Sequence, residues 1–156
     1  MRQGRSGRFV FIAQWVLAVL LPLFFFLGRG LVGAQLGWMS VIGVVYGLVV
    51  IVILLGPPIL TLFDAPVRTQ RRTRVAYDVA SVILWVVFLL AALTVPDSGD
   101  GGHLDTALTT WTGGAVGDAA STAIFSVAAI LIGLAYLATF VIGVAGIVRG
   151  RSSAQD

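Results

Sequence analysis

Any catalysis or metal binding in this chain would have to start from Asp97, Asp100, His103 and Asp105, which set three carboxylates and the single histidine close together in a glycine-rich stretch. Such a set offers oxygen and imidazole ligands to a divalent cation. The spacing departs from a calcium loop, because Gly101 stands where the third ligand belongs and Leu108 where a bidentate Glu would close the loop. A solvated acidic loop is the expectation, with no metal. One histidine and no cysteine exclude paired-histidine haem ligation, His-rich zinc sites, thiolate chemistry and disulfides. Phosphate loops, nucleophile elbows and H-E-x-x-H motifs are absent, so neither enzymatic activity nor a cofactor is expected.

The remaining reactive groups lie in or beside apolar runs. Gln14 sits about 8 Å inside the first run at 1.5 Å per residue, where an amide is expected to hydrogen-bond to another helix. Asp78 shares a helix face with Ser81 and Trp85 by i, i+3 and i+7 spacing. Together Gln14 and Asp78 are the candidates for a polar path. The expected structural role of Asp78 is a pair with Arg74, or another arginine of its loop, at the positive end of a helix. Tyr46 and Tyr136 fall near the middle of two runs and are expected to bond across helix interfaces.

These groups must be positioned by membrane helices. Hydrophobic residues make up 58% of the chain and charged residues only 11%, against roughly 25% charged in an average soluble domain. The mean hydropathy is +1.01. All basic residues are Arg and all acidic ones Asp, with no Lys, Glu or Asn, a bias that fits a GC-rich bacterial coding sequence. The formal charge of +3 is distributed beside apolar runs rather than along a soluble face, which points to anionic lipid headgroups rather than nucleic acid.

The expected architecture is an all-α, four-helix transmembrane bundle forming one domain, with spans over about 9–27, 36–56, 75–95 and 118–148. The first run would reach about 28 Å, close to the roughly 30 Å of hydrocarbon, and is longer than the apolar core of a signal peptide. Pro22 is expected to kink it. Pro57 and Pro58 are expected to stop the second span, leaving Ile59–Phe63 along the interface. A basic loop follows over 64–74, and an acidic, glycine-rich loop over 96–117. In that second loop Leu104, Leu108 and Trp111 suggest a short surface helix. Asp118 is placed to cap the last span, and residues 152–156 form a polar tail expected to be disordered.

Four spans put both termini on one side. Arg2, Arg5 and Arg8, then Arg68, Arg71, Arg72 and Arg74, and finally Arg149 and Arg151 fall on that side, against Arg29 alone on the other. The positive-inside rule makes the arginine-rich side cytoplasmic, with the chain in a bacterial plasma membrane. Arg68, Arg71, Arg72 and Arg74 are the expected lipid-binding residues. Small residues line one face of the second span, including Gly43 and Gly47, and one face of the fourth, including Ala135, Thr139 and Gly143. Such faces allow close packing on each other, on a second copy or on another membrane protein.

The reading that follows is a non-catalytic membrane subunit, scaffold or regulatory protein packing against a larger membrane complex. The alternative is a small oligomeric transporter or channel. Orientation is directly testable because the chain lacks cysteine. Single cysteines at Ser98 and Ser152, treated on intact cells with an impermeant maleimide, should react at Ser98 and stay unreacted at Ser152; the reverse pattern overturns the topology.

Overall fold

Long apolar sequence becomes helix in hydrocarbon because a helix satisfies its own backbone polar groups where no water can. The computed structural model describes residues 7–152, with side chains described through Gly150. Arg2, Arg5, the Arg151 side chain and most of the expected tail lie outside these residues. In order come α1 (Gly7–Phe26), a 3-10 turn (Gly28–Val32), α2 (Trp38–Phe63), α3 (Ala65–Gln70), α4 (Val75–Thr94), β1 (Asp97–Gly99), β2 (Gly102–Leu104), α5 (Ala107–Trp111) and α6 (Asp118–Ser152). The helices α1, α2, α4 and α6 are each long and apolar enough to cross a membrane. The molecule is a multi-pass, helical membrane bundle.

Its four spans form a closed ring. α1 packs on α2 and α4, and α6 packs on α4 and α2. Ala18 and Leu21 of α1, Leu54 of α2, Leu84 and Phe88 of α4 and Ala135 of α6 meet at the centre. Phe25 sets its ring edge against Phe88 at 5.7 Å and lies 6.4 Å from Phe125, which ties α1 to α4 and α6. The start of α1 meets the start of α4, where the Thr73 amide donates to the Gly7 carbonyl at 3.2 Å and the Thr73 hydroxyl oxygen lies 2.9 Å from the same carbonyl. The arginine-rich loop and the end of α6 lie at this same end of the bundle.

Three expectations need correction. α2 does not stop at Gly56: it runs through Pro57 and Pro58 to Phe63. Pro57 has no N–H for the Ile53 carbonyl, and the Tyr136 hydroxyl of α6 donates to that carbonyl instead, at 3.0 Å. The basic loop contains the helix α3, which ends at Arg71 in the left-handed conformation (φ 50°) with its amide bonded to the Val67 carbonyl. The 96–117 loop is not purely helical or irregular, since β1 and β2 pair as an antiparallel hairpin with Ser98 opposite His103.

Other boundaries lie close to those expected from the sequence. α5 begins at Ala107, with the Thr106 hydroxyl accepting the Thr109 amide. It buries Ala107 and Thr109, whereas Trp111 stays exposed and donates to the Val32 carbonyl at 2.6 Å. Asp118 is the first residue of α6 rather than a cap before it.

The small-residue faces do not pack on each other. Gly43 and Gly47 both face Phe26 of α1. Gly143 lies against Leu60 of α2 and Tyr77 of α4, and a Cβ on Gly146 would come within 2.7 Å of the Asp64 carboxylate. Ala135 sits in the core and Thr139 is fully buried. A Cβ on Gly43 would overlap Phe26, whereas one on Gly133 would meet nothing within 4 Å. Gly43→Ala should therefore lower the melting temperature of the purified protein, while Gly133→Ala should leave it unchanged or raise it, since alanine is favoured over glycine by ~1 kcal/mol in a helix. Equal effects would remove the Gly43–Phe26 contact from the account of packing.

Candidate functional site

Because α2 continues past its prolines, it carries Thr61 and Asp64 down beside α1, α4 and α6. The Gln14 amide nitrogen donates to the Phe11 carbonyl at 3.2 Å and to the Thr61 hydroxyl at 3.3 Å, and the Thr61 hydroxyl donates to the Pro58 carbonyl at 2.6 Å. The Tyr77 hydroxyl donates to the Gln14 amide oxygen at 2.8 Å. Gln14 and Tyr77 are each only 3% exposed, so the network is sealed inside the bundle. It is a three-helix tie in the arginine-rich half of the membrane.

Asp78 is also buried, on the turn that carries Tyr77, and its carboxylate accepts a hydrogen bond from Thr73. Arg74, one of the expected partners, has a second carboxylate in reach. Arg74 turns to Asp64, with Nε 3.1 Å from Oδ2 and Nη2 3.3 Å from Oδ1, and also donates to the Gly146 carbonyl at 3.4 Å. The reason is positional: the extended α2 delivers a second, nearly buried carboxylate to the same place. Of the four loop arginines, Arg68, Arg71 and Arg72 are exposed, while Arg74 joins α2, α4 and α6. Tyr46 is 60% exposed on the outer face of α2, not at a helix interface. Gln14 and Asp78 both point into the bundle.

At the opposite end, Arg29 and Asp97 form a buried ion pair. Asp97 further accepts amides from Gly37 at 2.8 Å, Met39 at 3.0 Å and Ser98 at 2.8 Å, and so closes the start of α2. Arg29 reaches the Val95 carbonyl at 3.4 Å. Burial alone would raise the Asp97 carboxyl, but the amides of Met39, Ser98 and Gly37 and the charge of Arg29 outweigh it and hold the group below the usual carboxylate range. The loop's candidate ligands are thus drawn apart: Asp97 is engaged inward, and His103 lies 3.7 Å from Asp118 at a half-exposed site. Among the described residues no three His, Cys, Asp or Glu side chains converge as metal ligands would.

Sequence reasoning missed Tyr77, Thr61, Thr73 and the pairing of Arg29 with Asp97. Tyr77 carried a usable signal, lying beside Asp78 and one turn before Ser81. Thr61 and the Arg29–Asp97 pair depend on contacts between distant segments and carried none, whereas Thr73 stands just before α4 and bonds to Asp78 within it. No protein-family model, curated protein or solved structure matches the chain.

The Arg29–Asp97 pair sets a pH dependence. A carboxyl held below its unfolded value stabilises the fold above the ordinary carboxylate range, and that contribution disappears as pH falls through the folded value. Thermal unfolding in detergent should show this acid loss. Asp97→Asn should remove it and cost about 3–5 kcal/mol by stranding a buried guanidinium, and Arg29→Met combined with Asp97→Asn should recover part of that loss. An Asp97→Asn protein as stable as the parent would show that the pair is not an anchor.

Proposed function

We propose that the protein is a non-catalytic integral subunit, scaffold or regulatory protein of a bacterial plasma membrane, packing against another integral membrane protein or a second copy of itself. The observation that carries this reading is how the polar groups inside the spans are used. Gln14, Thr61 and Tyr77 bond to one another, and Asp64 bonds to Arg74, so these groups hold helices together instead of lining an open route. The apolar surface left over is uneven. About half of the α4 span is buried within the chain, against 17% of the α2 span.

The free face of α2 carries Val41, Val44, Val45, Leu48 and Val52, all more than half exposed. Inside the membrane such a face is open to lipid or to a neighbouring helix. The arginine-rich end is assigned to the cytoplasm, where exposed Arg68, Arg71 and Arg72 would meet anionic headgroups. A transporter or channel is the second reading, favoured by Gln14 and Asp78 facing the bundle interior. It would need groups that select a solute near the midplane, and the polar cluster lies closer to one end.

Gentle extraction should yield a larger complex, heteromeric or homomeric, and the purified protein in liposomes should pass no ion or solute. Flux that Asp78→Asn abolishes would reject the subunit reading and make Asp78 the coupling carboxylate of a transporter.

A further inference from the structure

We propose that the bundle binds a water molecule between its four spans, in a cavity beside Gln14, Tyr77 and Ser81. The cavity measures about 20 Å³ and is also walled by Ala18, Leu54 and Thr139. One water needs about 10–15 Å³ by the same kind of measure, so the space suits a single molecule and little more.

The polar chemistry of the wall points to the same guest. Ser81 is 2% exposed, and its hydroxyl makes no hydrogen bond of ordinary geometry among the described protein atoms; it stands close enough to the Tyr77 hydroxyl to interact with it, but not to be satisfied by it. Three hydroxyls in these helices turn back to the carbonyl four residues earlier: Thr94 to Leu90, Ser126 to Thr122 and Thr139 to Ala135. Ser81 does not, although its neighbour one turn earlier is Tyr77. A buried hydroxyl without a partner is destabilising, and water is the usual means of satisfying one.

The other wall groups are mostly acceptors. The Tyr77 and Thr139 hydroxyls spend their protons on Gln14 and Ala135, which leaves lone pairs free on both oxygens. Ala18 and Leu54 each stand four residues before a proline, Pro22 and Pro58, so neither carbonyl receives the usual helical N–H. The site therefore needs a guest that donates hydrogen bonds and can accept one from Ser81. Water does both. A monovalent cation would also suit oxygen acceptors, but no carboxylate lines the cavity to balance its charge.

X-ray-generated hydroxyl radicals label side chains next to bound water even where bulk solvent cannot reach. Purified protein in detergent should show labelling of Tyr77 well above that expected for a residue 3% exposed, with Tyr46, at 60%, as the internal reference. Ser81→Ala should reduce the Tyr77 label several-fold without changing Tyr46, and should lower the melting temperature. Tyr77 left unlabelled while Tyr46 reacts would overturn the proposal. So would a higher melting temperature in Ser81→Ala, since a dry cavity gains from losing an unpaired hydroxyl. A wild-type melting temperature that rises with sodium or potassium, and does not do so in Ser81→Ala, would assign the site to a cation instead.

Discussion

A helix that meets two consecutive prolines in hydrocarbon must find another donor for the carbonyls they leave behind, and α2 finds one in the Tyr136 hydroxyl at Ile53. Much of one end of the molecule follows from that bond. With α2 helical through Pro57 and Pro58, Thr61 arrives within reach of Gln14, and Asp64 arrives beside Arg74. Gln14 is then fixed for Tyr77, and Arg74 for the Gly146 carbonyl. A second helix ending at Gly56 would have left both Thr61 and Asp64 on a flexible interfacial segment. The ties among α1, α2, α4 and α6 at the arginine-rich end would then have had no α2 partner.

The other end is organised by charge rather than by backbone repair. Among the described residues Arg29 is the one arginine placed there, and it is neutralised in place by Asp97. The pair joins the turn after α1 to the hairpin after α4, and through the amides of Gly37 and Met39 it also fixes where α2 begins. Burial makes such a pair expensive to break, and with Arg29 neutralised the exposed charge at that end is acidic, on Asp100, Asp105 and Asp118. The exposed positive charge, carried by Arg68, Arg71 and Arg72, is concentrated at the opposite end.

The spans α1 and α4 were legible from sequence because an uninterrupted apolar run of bilayer length has one economical structure. The end of α2 was not. The rule that proline stops a helix is local, whereas the group that overrides it lies 83 residues away on α6. The same distance problem hid the pairing of Arg29 with Asp97 and of Arg74 with Asp64. Gln14 was recognisable as a cross-helix donor because a lone amide in an apolar run has few other uses. Its acceptor Thr61 was hidden by the misplaced helix end. The short elements α3 and the β1–β2 hairpin are too brief for periodicity to reveal.

The bond between Tyr136 and Ile53 also has a meaning in time. A ribosome delivers α2 long before α6, so the hydroxyl that completes the proline segment belongs to the last span to emerge. Gln14 can meet Thr61 as soon as the first hairpin has formed, but the Ile53 carbonyl has no such early donor from its own hairpin. Until α6 enters, that carbonyl must be served by water, lipid headgroups or the insertion machinery. Maturation of this bundle is thus ordered along the chain, and its final helix closes a backbone defect written into the second.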